Sequence, residues 1–177
     1  MDEQDQPARF DAEIMPHLDA AYNLARWLTR NEHDAQDVVQ EAFLRALKFF
    51  GGFRGGNSRS WLLTIVRNTA YSWLEKNRKH EPLTLSDEQL SEVEDPAADA
   101  AATSIRNADR DAVRKALEEL PVGFREVTIL RELEGLSYKE IAEITGVPMG
   151  TVMSRLARAR KELQKCLTAR LQPGGRP

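Results

Sequence analysis

Leu136-Ser-Tyr-Lys-Glu-Ile-Ala-Glu-Ile-Thr-Gly-Val-Pro-Met-Gly-Thr-Val-Met-Ser-Arg-Leu-Ala-Arg-Ala-Arg160 spells a helix, a tight turn and a second, basic helix. Ser137 and Glu140 have the spacing of a capping box, and Leu136 with Ile141 that of a hydrophobic staple. Gly146 fits a left-handed C-cap, and Pro148 fits the start of a new helix, where a missing N–H costs nothing. Ala142, Ile144, Val147, Val152 and Leu156 are the small and apolar residues by which two helices cross closely. Arg155, Arg158, Arg160, Lys161 and Lys165 line the second helix and its continuation, as phosphate neutralisation and major-groove entry require. An ordinary helical hairpin with a solvated basic face is the alternative, but capping, turn and charge together favour a helix-turn-helix that reads DNA.

The 177 residues suffice for one domain or two small ones. No apolar run approaches the roughly 20 residues of a membrane span, and the acidic N-terminus lacks the layout of a signal peptide. Cys166 is the single cysteine, which excludes an intrachain disulfide and fits a reducing, cytoplasmic setting. The net charge of -3 conceals a sorted distribution. Acids dominate from Met1 to Leu44. Arg45, Lys48, Arg54, Arg59, Arg67, Lys76, Arg78 and Lys79 then face a single acid, Glu75, before His80. The next stretch holds Glu81, Asp87, Glu88, Glu92, Glu94, Asp95 and Asp99 without Lys or Arg, and the balance turns basic again after Gly150. Two basic faces with an acidic tether between them point to two nucleic-acid contacts on two modules.

Helical periodicity covers nearly everything outside the tether, so the expected fold is all-α: two small helical domains joined by a flexible acidic linker. Phe10, Ile14, Leu18, Ala21, Ala25 and Leu28 mark a first helical segment, interrupted near Pro16. Val38, Val39, Ala42, Phe43, Ala46, Leu47 and Phe50 form the buried stripe of a second helix. After Gly51 to Asn57, Ser58 is placed to cap a third, with Trp61, Leu62, Ile65, Val66, Thr69, Ala70, Trp73 and Leu74 as its stripe. The expected divisions are an N-terminal domain over 1–80, a linker over 81–107, a C-terminal domain over 108–172 and a disordered tail over 173–177. Val113, Leu117 and Leu120, then Val127, Leu130 and Leu133, lead into the helix-turn-helix.

Three places stand out from the core pattern. On the second helix Asp37, Gln40, Glu41, Leu44, Arg45 and Lys48 point away from the stripe, an apolar anchor in a polar rim. Spacing alone fits a partner surface or a solvated face equally. The loop Phe49 to Asn57 joins aromatics, glycines and Arg54, with Arg59 following, a combination suited to single-stranded nucleic acid. The alternative is a helix connection whose phenylalanines fill the core, the favoured reading for Phe49, Phe50 and Phe53 taken individually. Arg67, Asn68 and Tyr71 lie opposite the stripe of the third helix, available for polar contacts to DNA. His17, His33 and His80 lack ligand spacing and no nucleophile-base pair is recognisable, so neither enzyme chemistry nor a cofactor or metal is expected.

These residues resemble the extracytoplasmic-function group of bacterial sigma-70-type transcription initiation factors. Asp34 to Ala46 is similar to the group's core-polymerase-binding segment, Phe53 to Ala70 to its promoter-melting and -10-reading segment. Leu120-Pro121, Arg125-Glu126-Val127 and Leu136 to Arg160 are similar to its -35-reading domain. The resemblance runs from about Phe10 to Leu167. It implies a non-enzymatic specificity subunit whose Asp37, Gln40, Glu41, Leu44 and Arg45 grip core RNA polymerase. It further implies that Arg54, Asn57, Ser58, Arg59, Arg67, Asn68 and Tyr71 handle the -10 element of promoter DNA, with a flipped base held by the loop. Met149, Gly150, Thr151, Ser154, Arg155, Arg158, Arg160 and Lys161 would read the -35 element. Met153 stands where many members carry Lys or Arg, which shifts weight to Ser154, Arg155 and Arg158. An anti-sigma factor is the implied restraint. A sigma-like decoy that sequesters an anti-sigma factor without binding promoter DNA is the alternative, and the basic residues of the loop and second helix argue against it.

Overall fold

A computed structural model describes residues 5–77 and 105–171, and every regular element within them is helical. Helix α1 (Gln6–Ile14) carries Pro7 in its first turn, and Pro16 interrupts the chain as expected, giving a 3-10 turn at Met15–His17 before α2 (Leu18–Thr29). Arg30 closes α2 in the left-handed conformation, with φ of 58°. The Asn31 side chain then caps α3 (Glu32–Phe49), accepting from the Asp34 N–H at 3.0 Å. A 3-10 turn at Phe50–Gly52 leads to Gly55 and Gly56, whose φ values of 88° and 99° lie where side chains are disfavoured. Helix α4 spans Ser58–Asn77. Its cap is Asn57 rather than Ser58. The Asn57 carboxamide oxygen accepts the Ser60 N–H at 3.0 Å, which makes Ser58 the first helical residue.

The N-terminal core is built from Phe10 and Ile14 of α1, Ala21, Leu24, Ala25 and Leu28 of α2, and Leu62, Leu63, Val66 and Ala70 of α4. The contribution of α3 corrects the expected stripe at Leu47: Ala35, Val38, Ala42, Ala46 and Phe50 are buried and Val39 and Phe43 half-buried, whereas Leu47 is exposed; of the loop phenylalanines read as core, Phe50 and Phe53 are buried and Phe49 is exposed. The buried line uses small residues because α2 and α4 both press on this helix, and a leucine one turn further round meets solvent instead. Leu18, Val113 and Leu133, also read as core, are exposed for the same reason of rotation at the margin of an apolar stripe. Trp61 and Trp73 are partly buried against the core, as expected. Each fully buried Leu, Ile or Phe contributes about 1.5 to 3 kcal/mol.

The second half begins with α5 (Ile105–Glu119), so residues 105–107 open a helix. The rest of the tether placed at 81–107, and the tail at 173–177, lie outside the described residues. After Pro121 come α6 (Val122–Thr128), a π-helical turn (Ile129–Leu133), α7 (Tyr138–Thr145) and α8 (Met149–Leu171). The capping box is complete: Ser137 Oγ accepts from the Glu140 N–H at 3.1 Å and the Glu140 carboxylate accepts from the Ser137 N–H at 2.7 Å. Leu136 and Ile141 are both buried, consistent with the staple, and Gly146 stops α7 with φ of 71°.

The two halves do not stand apart. Val127, Leu130, Leu136, Ile141, Ile144, Val152 and Leu156 join the same apolar cluster as the N-terminal core, with α7 against α4 and α6 against α2. Trp27 of α2 packs onto a second cluster of Leu117, Leu120, Phe124, Ile129 and Ala159. Guanidinium groups tie helix ends across this boundary. Arg30 donates across to the Glu118 carbonyl at 3.2 Å, and Arg125, almost wholly buried, donates across to the Leu28 carbonyl at 3.5 Å and, within its own half, to the carbonyls of Glu118 and Leu120 at 3.0 and 2.8 Å.

Candidate functional site

Asp37, Gln40, Glu41 and Leu44 are exposed on the side of α3 away from α2 and α4, and Arg45 is half-exposed. Leu44 is 65% exposed amid this polar rim, and Leu47 and Phe49 extend the apolar surface along the helix. Within the rim Arg45 is held by Glu41 through bonds of 2.6 and 3.1 Å, so this pair presents one fixed, internally neutralised unit. The face has the layout of a partner surface, apolar at its centre and polar around it.

The loop after α3 forms a cleft of about 390 Å³ lined by Gly52, Phe53, Arg54, Gly55, Asn57, Ser60, Trp61 and Thr64, with Glu143 of α7 on its rim. Its floor is rigid. Phe50 stacks on Phe53 at 5.7 Å between centroids, Trp61 meets both at 6.1 and 5.0 Å, and the Arg9 guanidinium lies 5.3 Å from the Phe50 ring. Phe50 and Phe53 are buried beneath the cleft, so its accessible lining is the half-buried Trp61, the positive-φ Gly55 and the exposed Arg54. The buried Ser60 hydroxyl beside it has no hydrogen-bond partner among the described residues. Ser58 lies 3.2 Å from His17 Nε2, and burial, with the nearby Arg59 charge adding to it, lowers the His17 pKa.

The other expected residues of this surface meet the C-terminal half. Asn57 donates to the Glu140 carboxylate at 2.8 Å. Arg59 donates to the Glu134 carboxylate at 2.8 Å and to its carbonyl at 2.7 Å. Arg67 makes a two-pronged pair with Glu126, at 2.9 and 3.2 Å, and stacks on Tyr71 at 4.2 Å. Glu126 is 0% exposed. Burial pushes the Tyr71 phenol well above its ordinary value and the Glu126 carboxylate adds to the rise. The Ser137 N–H holds the Glu140 carboxyl below the usual carboxylate range. Arg54 and Asn68 are exposed. Arg67 and Tyr71, expected on an open face of α4, instead lie half-buried between modules.

On α8, Met149, Gly150, Ser154, Arg158, Arg160 and Lys161 are exposed and Thr151 is half-exposed. Val152, Leu156 and Ala159 face inward, which aims the polar set outward at helical spacing. Arg160 reaches Glu132 at 3.3 Å, and Ser154 Oγ donates to the Thr151 carbonyl at 3.1 Å. Arg155 departs from the outward set: its side chain is 20% exposed and lies 4.0 Å from Glu126. Glu126 therefore sits between one arginine of α4 and one of α8. Sequence reasoning did not single out Glu126, Glu134 or Glu143 as functional. The available signal was a lone acid inside the apolar run from Val122 to Leu130.

Among the described residues no helix is long and apolar enough to cross a membrane, and no cluster of His, Cys, Asp and Glu could hold a metal ion. Two family models match the chain: Sigma-70 region 2 over residues 14–80 and Sigma-70 region 4 over residues 110–163. The chain is 35% identical to the ECF RNA polymerase sigma factor SigE of Mycolicibacterium smegmatis over 162 residues, 89% of this chain but 61% of that protein's length. It is 33% identical to the RNA polymerase sigma-H factor of Pseudomonas aeruginosa, over 89% of this chain and 86% of that one. In structure it is similar to the sigma factor RpoE of Bartonella quintana, solved in complex with the anti-sigma factor NepR. The TM-score is 0.70 and the identity 31%, covering 90% of this chain and 97% of that one. A helix-turn-helix behind a module with an open apolar-centred face and an aromatic cleft, matched at both regions and along both chains, has one reading: the protein belongs to the extracytoplasmic-function group of the sigma-70 family, transcription initiation factors rather than enzymes.

Proposed function

We propose that this sigma factor works in the cytoplasm by joining core RNA polymerase through α3, opening the -10 element with the loop and α4, and reading the -35 element with α8, under restraint by an anti-sigma factor. The observation that carries the reading is the cleft at Gly52 to Trp61, because the half-buried Trp61, the positive-φ Gly55 and the exposed Arg54 on one surface suit an unstacked base. Asp37, Gln40, Glu41, Leu44 and Arg45 supply the polymerase contact, with Leu44 as anchor. Arg54, Asn57, Ser58, Arg59, Arg67, Asn68 and Tyr71 supply the -10 contacts. On α8 the short residues near the start, Met149, Gly150, Thr151 and Ser154, lie where base edges are read. Arg158, Arg160 and Lys161 supply positive charge for the phosphates, and Arg155, which lies 4.0 Å from Glu126, reaches a base edge or an adjacent phosphate on leaving that carboxylate. The outward aim of Arg158 and Lys161 favours this reading over the decoy. In vitro run-off transcription with core polymerase and a genomic promoter library tests it. Discrete transcripts that depend on the protein are expected, and their absence with active core enzyme refutes it.

A further inference from the structure

Met153 projects from the outer side of α8. It is 51% exposed, while Val152 and Leu156 pack inward. Gly150, Met153 and Ala157 follow one another at i, i+3 and i+7, so they share one line along the helix, and all three are exposed. That line is low at both ends. Nothing lies within 4 Å of where a Cβ would stand on Gly150, and Ala157 carries a single methyl group. A helix with so shallow an outer line can lie close to the floor of a major groove, where the long side chain at its middle reaches base edges. The groups that base pairs present there are hydrogen-bond donors and acceptors, apart from the thymine C5-methyl group. A thioether is a weak acceptor and no donor, so it leaves the polar groups unpaired and suits only the methyl.

We infer that Met153 is a specificity-determining residue of the -35 contact: its thioether packs on a thymine C5-methyl group, so the element this chain selects carries a thymine facing Met153. The inference rests on the functional reading above and names a base which that reading leaves open. Met149, four residues earlier and 47% exposed, extends the apolar surface on the same side of the helix. Ser154 and Arg158, exposed on the other side of the line, stay available for hydrogen bonds and phosphates.

The test uses holoenzyme assembled from core polymerase and the full-length chain, on the strongest promoter recovered by run-off from the genomic library. Each thymine of the -35 element is replaced in turn by deoxyuridine, which lacks only the C5-methyl group, and binding is read by fluorescence anisotropy. At one thymine the replacement should weaken wild type about fourfold, the size set by one methyl group leaving an apolar contact. The same replacement should cost Met153→Ala less than about twofold, whereas Arg158→Ala, which loses a phosphate contact, should keep the penalty of about fourfold. A wild type indifferent to deoxyuridine at every position overturns the inference, and so does a -35 element without thymine. An equal penalty in wild type and Met153→Ala assigns the methyl to another residue, and a penalty lost in Arg158→Ala as well shows that any loosening of α8 suffices. Both overturn it. Weaker binding of Met153→Ala to core polymerase without DNA would make the side chain a protein contact and overturn it too. If circular dichroism shows that Met153→Ala has lost helix, Met153→Gln carries the same comparison. Absence of any protein-dependent transcript refutes the functional reading itself, and the inference falls with it.

Discussion

Arg67→Met should expose how the protein tolerates a fully buried carboxylate. Glu126 is 0% exposed and its closest cation, Arg67, donates to it at 2.9 and 3.2 Å, with Arg155 at 4.0 Å. Removing one partner of such a pair commonly costs about 3 to 5 kcal/mol, because the surviving charge stays buried. Two features lower that figure here: Arg155 can close on the carboxylate, and parting the modules returns Glu126 to water, which caps the loss at the free energy of closure. Loss of the Arg67 stack on Tyr71 at 4.2 Å adds about 0.5 to 1 kcal/mol. The expected total is about 2 to 3 kcal/mol, a fall of about 1 to 1.5 M in the urea midpoint for an m-value of about 2 kcal/mol/M. Tryptophan fluorescence and circular dichroism should be followed together, so that module separation, reported by Trp27 at the boundary, is distinguished from loss of helix. Adding Glu126→Gln to Arg67→Met should recover at least about 1 kcal/mol, since the orphaned charge is gone. A single-variant loss under about 1 kcal/mol, or strictly additive losses in the double variant, would refute the claim that Glu126 depends on Arg67.

Because the folded Tyr71 phenol holds its proton above its ordinary value, its contribution to stability is full below pH about 10 and is lost as pH climbs through the raised value. Tyr71→Phe should therefore show a flatter alkaline fall in urea midpoint than wild type, and parallel curves would remove the phenol from the account. Leu44→Ala with Asp37→Ala should weaken core polymerase binding by about 1 to 2 kcal/mol per residue while thermal unfolding stays in place. A melt that falls in step with binding would show a structural effect. Arg158→Ala should lower affinity for all duplexes alike and flatten the salt dependence by about one unit of slope, whereas altered sequence preference at constant slope would reassign it to base reading.

Helix order and the helix-turn-helix were legible because capping, glycine stops and apolar period are local properties, decided within a few residues of where they are read. Pro16, the Ser137–Glu140 box and Gly146 each act as the sequence suggests. The face of α3 was harder. Ala35, Ala42 and Ala46 signal burial less loudly than Leu47 and Phe49, yet close helix approach selects the alanines. Asn57 and Ser58 are adjacent capping types, and only the hydrogen bond to Ser60 tells them apart. What sequence could not reveal is the closure of the modules. Its polar ties join residues 59, 75 and 83 positions apart, and its acids read locally as a helix cap or as solvated charge. The polymerase face was legible as an odd leucine in a polar rim, but nothing local hinted that Arg67 and Tyr71 would be covered.

Arg30 shows what closure demands of a single position. Among the described residues it alone adopts a positive φ without being glycine, and the same side chain crosses to the Glu118 carbonyl at 3.2 Å. Its backbone favours the smallest residue by about 1 kcal/mol, while its guanidinium serves the opposite module. The site thus records a trade-off between comfort within one half and grip between halves. Variants selected for heat resistance of the N-terminal half alone should drift to glycine here, whereas variants selected for a tightly restrained full-length factor should keep arginine. A population that kept arginine under both regimes would show that the crossing contact is not what holds it.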